Sequence, residues 1–272
     1  MEEEHHNPLK EEEKKKKVLF HALDILLGFL FLVLIWDAIY LLGGETFPEF
    51  FRTLGGMFLL LGEQNVLTSL LMTLGRIILT LVISTFLGSL LGLLAAFFKP
   101  LEAFFRPLIY VMTAFPTVSM ILFLIIYTKI TSYIIVAFLT FPVIYKAVLK
   151  GGKDIMEKYS DPLSLEGKNS LKSFVLVLCP LSLPSIFLGV FQASGLALKG
   201  EIMGEVFMNY TNAQGLGGMI NQAYIDVNMP RLFSLTLLAI LTMSLFDLLG
   251  VWIKGELEKR YGTKSVKTFH WL

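Results

Sequence analysis

The chain has 272 residues, 55% of them hydrophobic and only 17% charged, with a formal net charge of +1. Together with a mean hydropathy of +0.69, this excludes a soluble globular domain and predicts an all-α integral membrane protein. The near-zero total charge assigns no partner by itself, because the charges are segregated along the chain. Cys179, the single cysteine, excludes an internal disulfide.

Residues 1–17 join an acidic block to a basic one and predict a solvated cytoplasmic tail. A first span or anchor is expected from Val18 to about Leu42, too long for a signal-peptide core. Residues 43–65 mix aromatics, charges and glycines around a short apolar patch and predict a segment lying in the outer interface. Residues 18–65 thus form a first unit, followed by a core over 66–254 and a basic cytoplasmic tail over 255–272.

Within the core, Leu67 to about Phe98 predicts a long second span. Further spans are expected from about Leu108 to Tyr127, Ser132 to Leu149, Phe174 to Leu198 and Leu232 to Ile253, making six in all. A polar loop, 150–172, separates the fourth and fifth. Gly88 and Gly92, four residues apart, predict close helix packing.

Lysine and arginine set the orientation. With the N-terminus inside, the cytoplasmic side receives Lys10, Lys14 to Lys17, Lys99, Arg106, Lys146, Lys150, Lys153, Lys158, Lys168, Lys172 and the tail lysines. The outer side keeps Arg52, Lys129, Lys199 and Arg231. That asymmetry places both tails in the cytoplasm of a multi-pass cell-membrane protein.

The loop reads as two short helical pieces joined at Gly167, the first amphipathic and the second leading into the fifth span, where Pro180 and Pro184 would permit kinks. In this stretch the chain resembles the membrane subunits of ATP-binding-cassette importers. Their loop carries Glu-Ala-Ala, three residues, Gly, nine residues, Ile, one residue and Leu-Pro. Here the spacing falls on Asp161-Pro162-Leu163, Gly167, Val177 and Cys179-Pro180. From about residue 66 to 260 the chain also resembles the sulfonate, nitrate and taurine branch. The carriers are Thr-Leu-Gly-Arg at Thr73 to Arg76, the second Leu-Pro at Leu183-Pro184, and Gly-Leu-Gly at Gly215 to Gly217 after Glu205.

The resemblance implies a type I importer permease in the lipid bilayer, paired with a second copy. An extracytoplasmic solute-binding protein would deliver a small polar or anionic solute. The loop around Tyr159, Ser160, Asp161, Leu163, Glu166 and Gly167 would dock on a cytoplasmic ATPase. This chain carries no phosphate-binding loop, so ATP would act through that partner, with no cofactor on the chain itself. Neither a metal site nor a nucleic-acid partner is expected, and no nucleophile has a base at useful spacing, which argues against an enzyme.

The candidate pathway residues are Glu205, Asn209, Gln214, Gly215, Gly217 and Arg76. Residues 198–230 read either as a partly re-entrant segment lining the pathway or as an ordinary outer loop, with Glu205 the foremost candidate. Arg76 would either attract an anionic solute or snorkel to headgroups, the second being the simpler reading. Two rivals stand beside the importer: a channel or secondary carrier that needs no ATPase, and a scaffold whose loop only docks a partner.

Overall fold

The computed structural model describes residues 8–43, 47–128, 132–159, 172, 174–208 and 215–261. Among them every regular element is helical. In chain order these are α1 (Pro8–Gly43), α2 (Phe50–Leu61), α3 (Gln64–Phe97), α4 (Lys99–Ala114), α5 (Thr117–Thr128) and α6 (Ser132–Lys158), followed by α7 (Leu183–Phe207), α8 (Leu216–Ile225) and α9 (Met229–Tyr261). A π-helical turn, Phe174–Leu178, and one α-helical turn, Cys179–Leu181, lead into α7.

Among the described residues, five helices are long and apolar enough to cross a membrane. The third expected span, Leu108 to Tyr127, is not a single straight helix. α4 and α5 meet at a bend of 99° around Phe115 and Pro116, and only as a bent pair do they make a sixth span. Pro116 accounts for the break, because its ring disfavours helical backbone at Phe115. At about 24 and 18 Å, neither half alone crosses a hydrocarbon layer of about 30 Å.

Three further differences follow from local chemistry. α6 continues through Lys150 to Lys158, where a loop was expected, since Lys, Asp, Met and Glu sustain a helix outside the bilayer as well as within it. Pro180 and Pro184 do not fall in the interior of one unbroken helix. Each stands in the first turn of its helix, where no intrahelical N–H bond is lost. α7 runs on to Phe207, so Glu201 and Glu205 are helical rather than part of a loop.

The core is the sandwich of α3, α6 and α7, with Ile77, Leu81 and Leu93 of α3, Val136, Ile144 and Val148 of α6, and Ala193, Ala197 and Leu198 of α7 in one buried cluster. Small residues permit the close approach. A Cβ on Gly88 would lie 3.0 Å from Ile144 Cγ2, and one on Gly92 would lie 3.0 Å from the Tyr145 carbonyl oxygen. On α7, Gly189 faces Ala147 and Gly204 faces Ile135 and Ser132 in the same manner. Helices in lipid associate through such packing because apolar burial offers no advantage over contact with acyl chains. Inside the interface, Thr140 donates to Ser84 Oγ at 2.9 Å.

A second cluster joins α2, α8 and α9 through Met57, Leu60, Leu216, Ala223, Leu235 and Leu238. α2, 12 residues long, is too short to span and lays Phe50, Thr53, Met57 and Leu60 inward. α1 is the opposite case: only 6% of its apolar window is buried. It is held at Trp36, which donates to the Pro48 carbonyl at 2.9 Å and stacks edge-on with Phe50 and Phe233.

Candidate functional site

The polar centre of the protein forms where α3, α6, α7 and α8 converge. Glu201 and Glu205, one turn apart on α7, are both fully buried. Facing them from α3 are Thr73 and Arg76, about 14 and 18 Å along that helix from Gln64. A carboxylate at that depth is retained only with partners.

Glu205 has several. Arg76 Nη1 donates to Oε1 at 2.9 Å, and the Gly217 amide donates to Oε2 at 2.8 Å. The Thr73 hydroxyl lies 2.9 and 3.0 Å from the two carboxylate oxygens and donates to the carboxylate. Thr73 Oγ1 in turn accepts from the Leu216 amide at 2.9 Å. The two amides belong to the first turn of α8, so Glu205 and Thr73 together satisfy donors that a helix start leaves open, and the negative charge sits at the positive end of the helix.

Glycine makes this seat possible. A Cβ on Gly215 would fall on the Glu205 carboxylate, and one on Gly217 would meet the Ile202 carbonyl and, at 2.7 Å, Glu205 Cβ. Glu201 has fewer partners: its Oε1 accepts from the Ser132 hydroxyl of α6 and lies 4.0 Å from Arg76 Nη1.

Arg76 therefore does not snorkel to headgroups. Its side chain is 21% exposed and its guanidinium pairs with Glu205 across 129 positions of sequence. Of the expected pathway residues, the structure brings Arg76, Glu205, Gly215 and Gly217 together, while Asn209 and Gln214 lie outside the described residues. Thr73, Ser132 and Glu201 are members that the sequence reading did not place among the candidate pathway residues. The available signal was spacing: Thr73 and Arg76 three apart, and Glu201 and Glu205 four apart, each pair on one helical face.

On the opposite side, Tyr159 closes α6 in a turn, its amide donating to the Ile155 carbonyl at 3.0 Å. Ser160, Asp161, Leu163, Glu166 and Gly167 lie outside the described residues. Leu183 and Pro184 open α7, and Pro180 opens the turn before it. Lys153 Nζ reaches Glu102 Oε1 at 2.6 Å and ties the end of α6 to the start of α4.

The family described as binding-protein-dependent transport system inner membrane component matches residues 88–263, well over half of the chain. The chain belongs to this family. It is thus an ATP-binding-cassette transport permease, a multi-pass component of the inner membrane. No curated protein matched the chain. The matched region takes in only the C-terminal end of α3, residues 88–97, and all of α4 to α9, so the permease carries Ser132, Glu201, Glu205 and Gly217 inside it and Thr73 and Arg76 before it.

Thr73→Val in this permease removes both the donor to Glu205 and the acceptor for Leu216. The expected cost is about 1–3 kcal/mol, read as a lower melting midpoint of the detergent-solubilised protein. Thr73→Ser, which keeps the hydroxyl, should melt close to wild type. Equal melting of the valine and wild-type proteins would show that the hydroxyl contributes nothing.

Proposed function

We propose that this permease serves an importer, pairing with a second copy to form one pathway for a small polar or anionic solute such as a sulfonate, nitrate or taurine. An extracytoplasmic binding protein delivers the solute, and a cytoplasmic ATPase supplies the energy through residues 150–172. The observation that carries the reading is the family match over 88–263, which brackets that segment and both helices flanking it, α6 and α7. Rigid-body motion of a docked loop would pass directly into these two core helices.

Arg76 is not the anion receptor in this scheme, because its charge is committed to Glu205. Selection of an anion would rest with the binding protein and with groups outside the buried cluster.

Reconstitution with the co-purifying ATPase and binding protein is the test. ATP-dependent uptake supports the importer, whereas uptake that persists without the ATPase would favour the carrier or channel. Gly167→Arg places a long cation where the sequence predicts the join of the loop's two pieces, and transport should fall at least about tenfold while the permease still folds. Normal transport by that variant with its ATPase would remove the coupling role from this loop.

A further inference from the structure

Among the described residues, the buried cluster is one positive charge short. Two carboxylates, Glu201 and Glu205, share one guanidinium, and Arg76 Nη1 stands 2.9 Å from Glu205 but 4.0 Å from Glu201. Both Glu205 oxygens are engaged, by Arg76, Thr73 and the Gly217 amide. Glu201 Oε1 accepts from Ser132, yet Glu201 Oε2 is buried with no hydrogen-bond partner among the described residues. The residue is 0% exposed, so bulk water does not compensate its charge, and an uncompensated buried charge is strongly destabilising.

The charged groups acting on Glu201 are Glu205 of its own helix and Arg76 of α3. α6 presents the uncharged Ser132 hydroxyl, and α8 presents backbone amides that are already used. None of these supplies the second positive charge.

We propose that Glu201 is the binding group for a single monovalent cation, a proton or an alkali ion, which neutralises the cluster while α3, α6 and α7 are closed on one another. With the cation bound, α7 packs against its neighbours as a charge-balanced helix. Without it, the free carboxylate favours a conformation that admits water at this depth. Cation occupancy would then bias the permease between closed and open arrangements of these helices.

The test uses the full-length chain in detergent and needs neither ATPase nor solute, so its failure would leave the importer reading standing. Melting midpoints of wild type and Glu201→Gln are measured as the pH is raised through neutrality, and again with sodium or potassium chloride replaced by choline chloride at constant ionic strength. A folded chain that holds a proton its unfolded form has released loses stability as the pH rises.

The wild-type midpoint should fall by about 3 °C in one of the two series, and Glu201→Gln, which can still accept from Ser132, should flatten that series. A slope in the pH series assigns a proton, and a slope in the salt series assigns an alkali ion. The same dependence in both proteins, or none in wild type, overturns the proposal. Infrared carboxyl bands of the wild type give a readout that does not require the variant to fold. A band that changes in either series supports the site, and bands unchanged in both overturn it.

Discussion

Glu205→Ala should abolish ATP-driven uptake and lower the melting midpoint by about 10 °C. The carboxylate is the common acceptor for Arg76, Thr73 and the Gly217 amide. Its removal leaves a mostly buried guanidinium and the first turn of α8 without their partner. Breaking a buried pair from one side costs about 3–5 kcal/mol, and each kcal/mol moves the midpoint of a protein this size by about 2–4 °C. Glu205→Gln keeps the shape and one carbonyl acceptor and should lie between alanine and wild type. If alanine melts and transports like wild type, the cluster does not hold α8 in place.

Gly92→Leu should give no folded protein at all, and the contrast between two alanine variants explains why. At Gly88 the new Cβ would meet Ile144 Cγ2 and Cβ at 3.0 and 3.1 Å and backbone, the Tyr145 amide nitrogen, only at 3.3 Å, so its tightest contact is with a side chain that can shift by a few tenths of an ångström. At Gly92 it would meet the Tyr145 carbonyl oxygen, also at 3.0 Å, which is fixed in the backbone of α6. Gly92→Ala should therefore cost about 1–3 kcal/mol and Gly88→Ala less. Leucine at 92 would have to separate α3 from α6 along the most extensive contact in the protein. The comparison is read from the monodisperse yield and melting of the three variants, and folded Gly92→Leu would refute the close-packed crossing.

Much of this architecture was legible from residue order, because a membrane span announces itself by length and apolar content. The long run after Leu67 is α3, the run from Ser132 is α6, and the last run is α9; each begins within three residues of its expected start, while α6 and α9 run on nine and eight residues past their expected ends. Gly88 and Gly92 could be assigned to close packing because four-residue spacing puts them on one face. What escaped was decided by tertiary partners. Lys199, Glu201 and Glu205 resemble the polar end of a span, yet α7 continues through them because Arg76, Thr73 and Ser132 wait on other helices.

Arg76 looked interfacial for the same reason, since its partner is remote in sequence. The bend between α4 and α5 did have a local signal, Pro116, but an uninterrupted apolar composition concealed it. Proline position likewise decided between a kink and a helix start only once the π-helical turn at Phe174–Leu178 showed that α7 begins later than its apolar run.

The distance in sequence between Arg76 and Glu205 also bears on how the protein is made. Arg76 enters the membrane with α3, and its partner is translated 129 positions later. At about 5–20 residues per second the interval is on the order of ten seconds, during which a guanidinium lies in the nascent bundle without its carboxylate. The charged stretch of α7 is correspondingly costly to insert alone but is matched once α3 is already present. Synthesis from the N-terminus thus delivers the cation first and the two acids afterward, and α8 can be seated only after both have met.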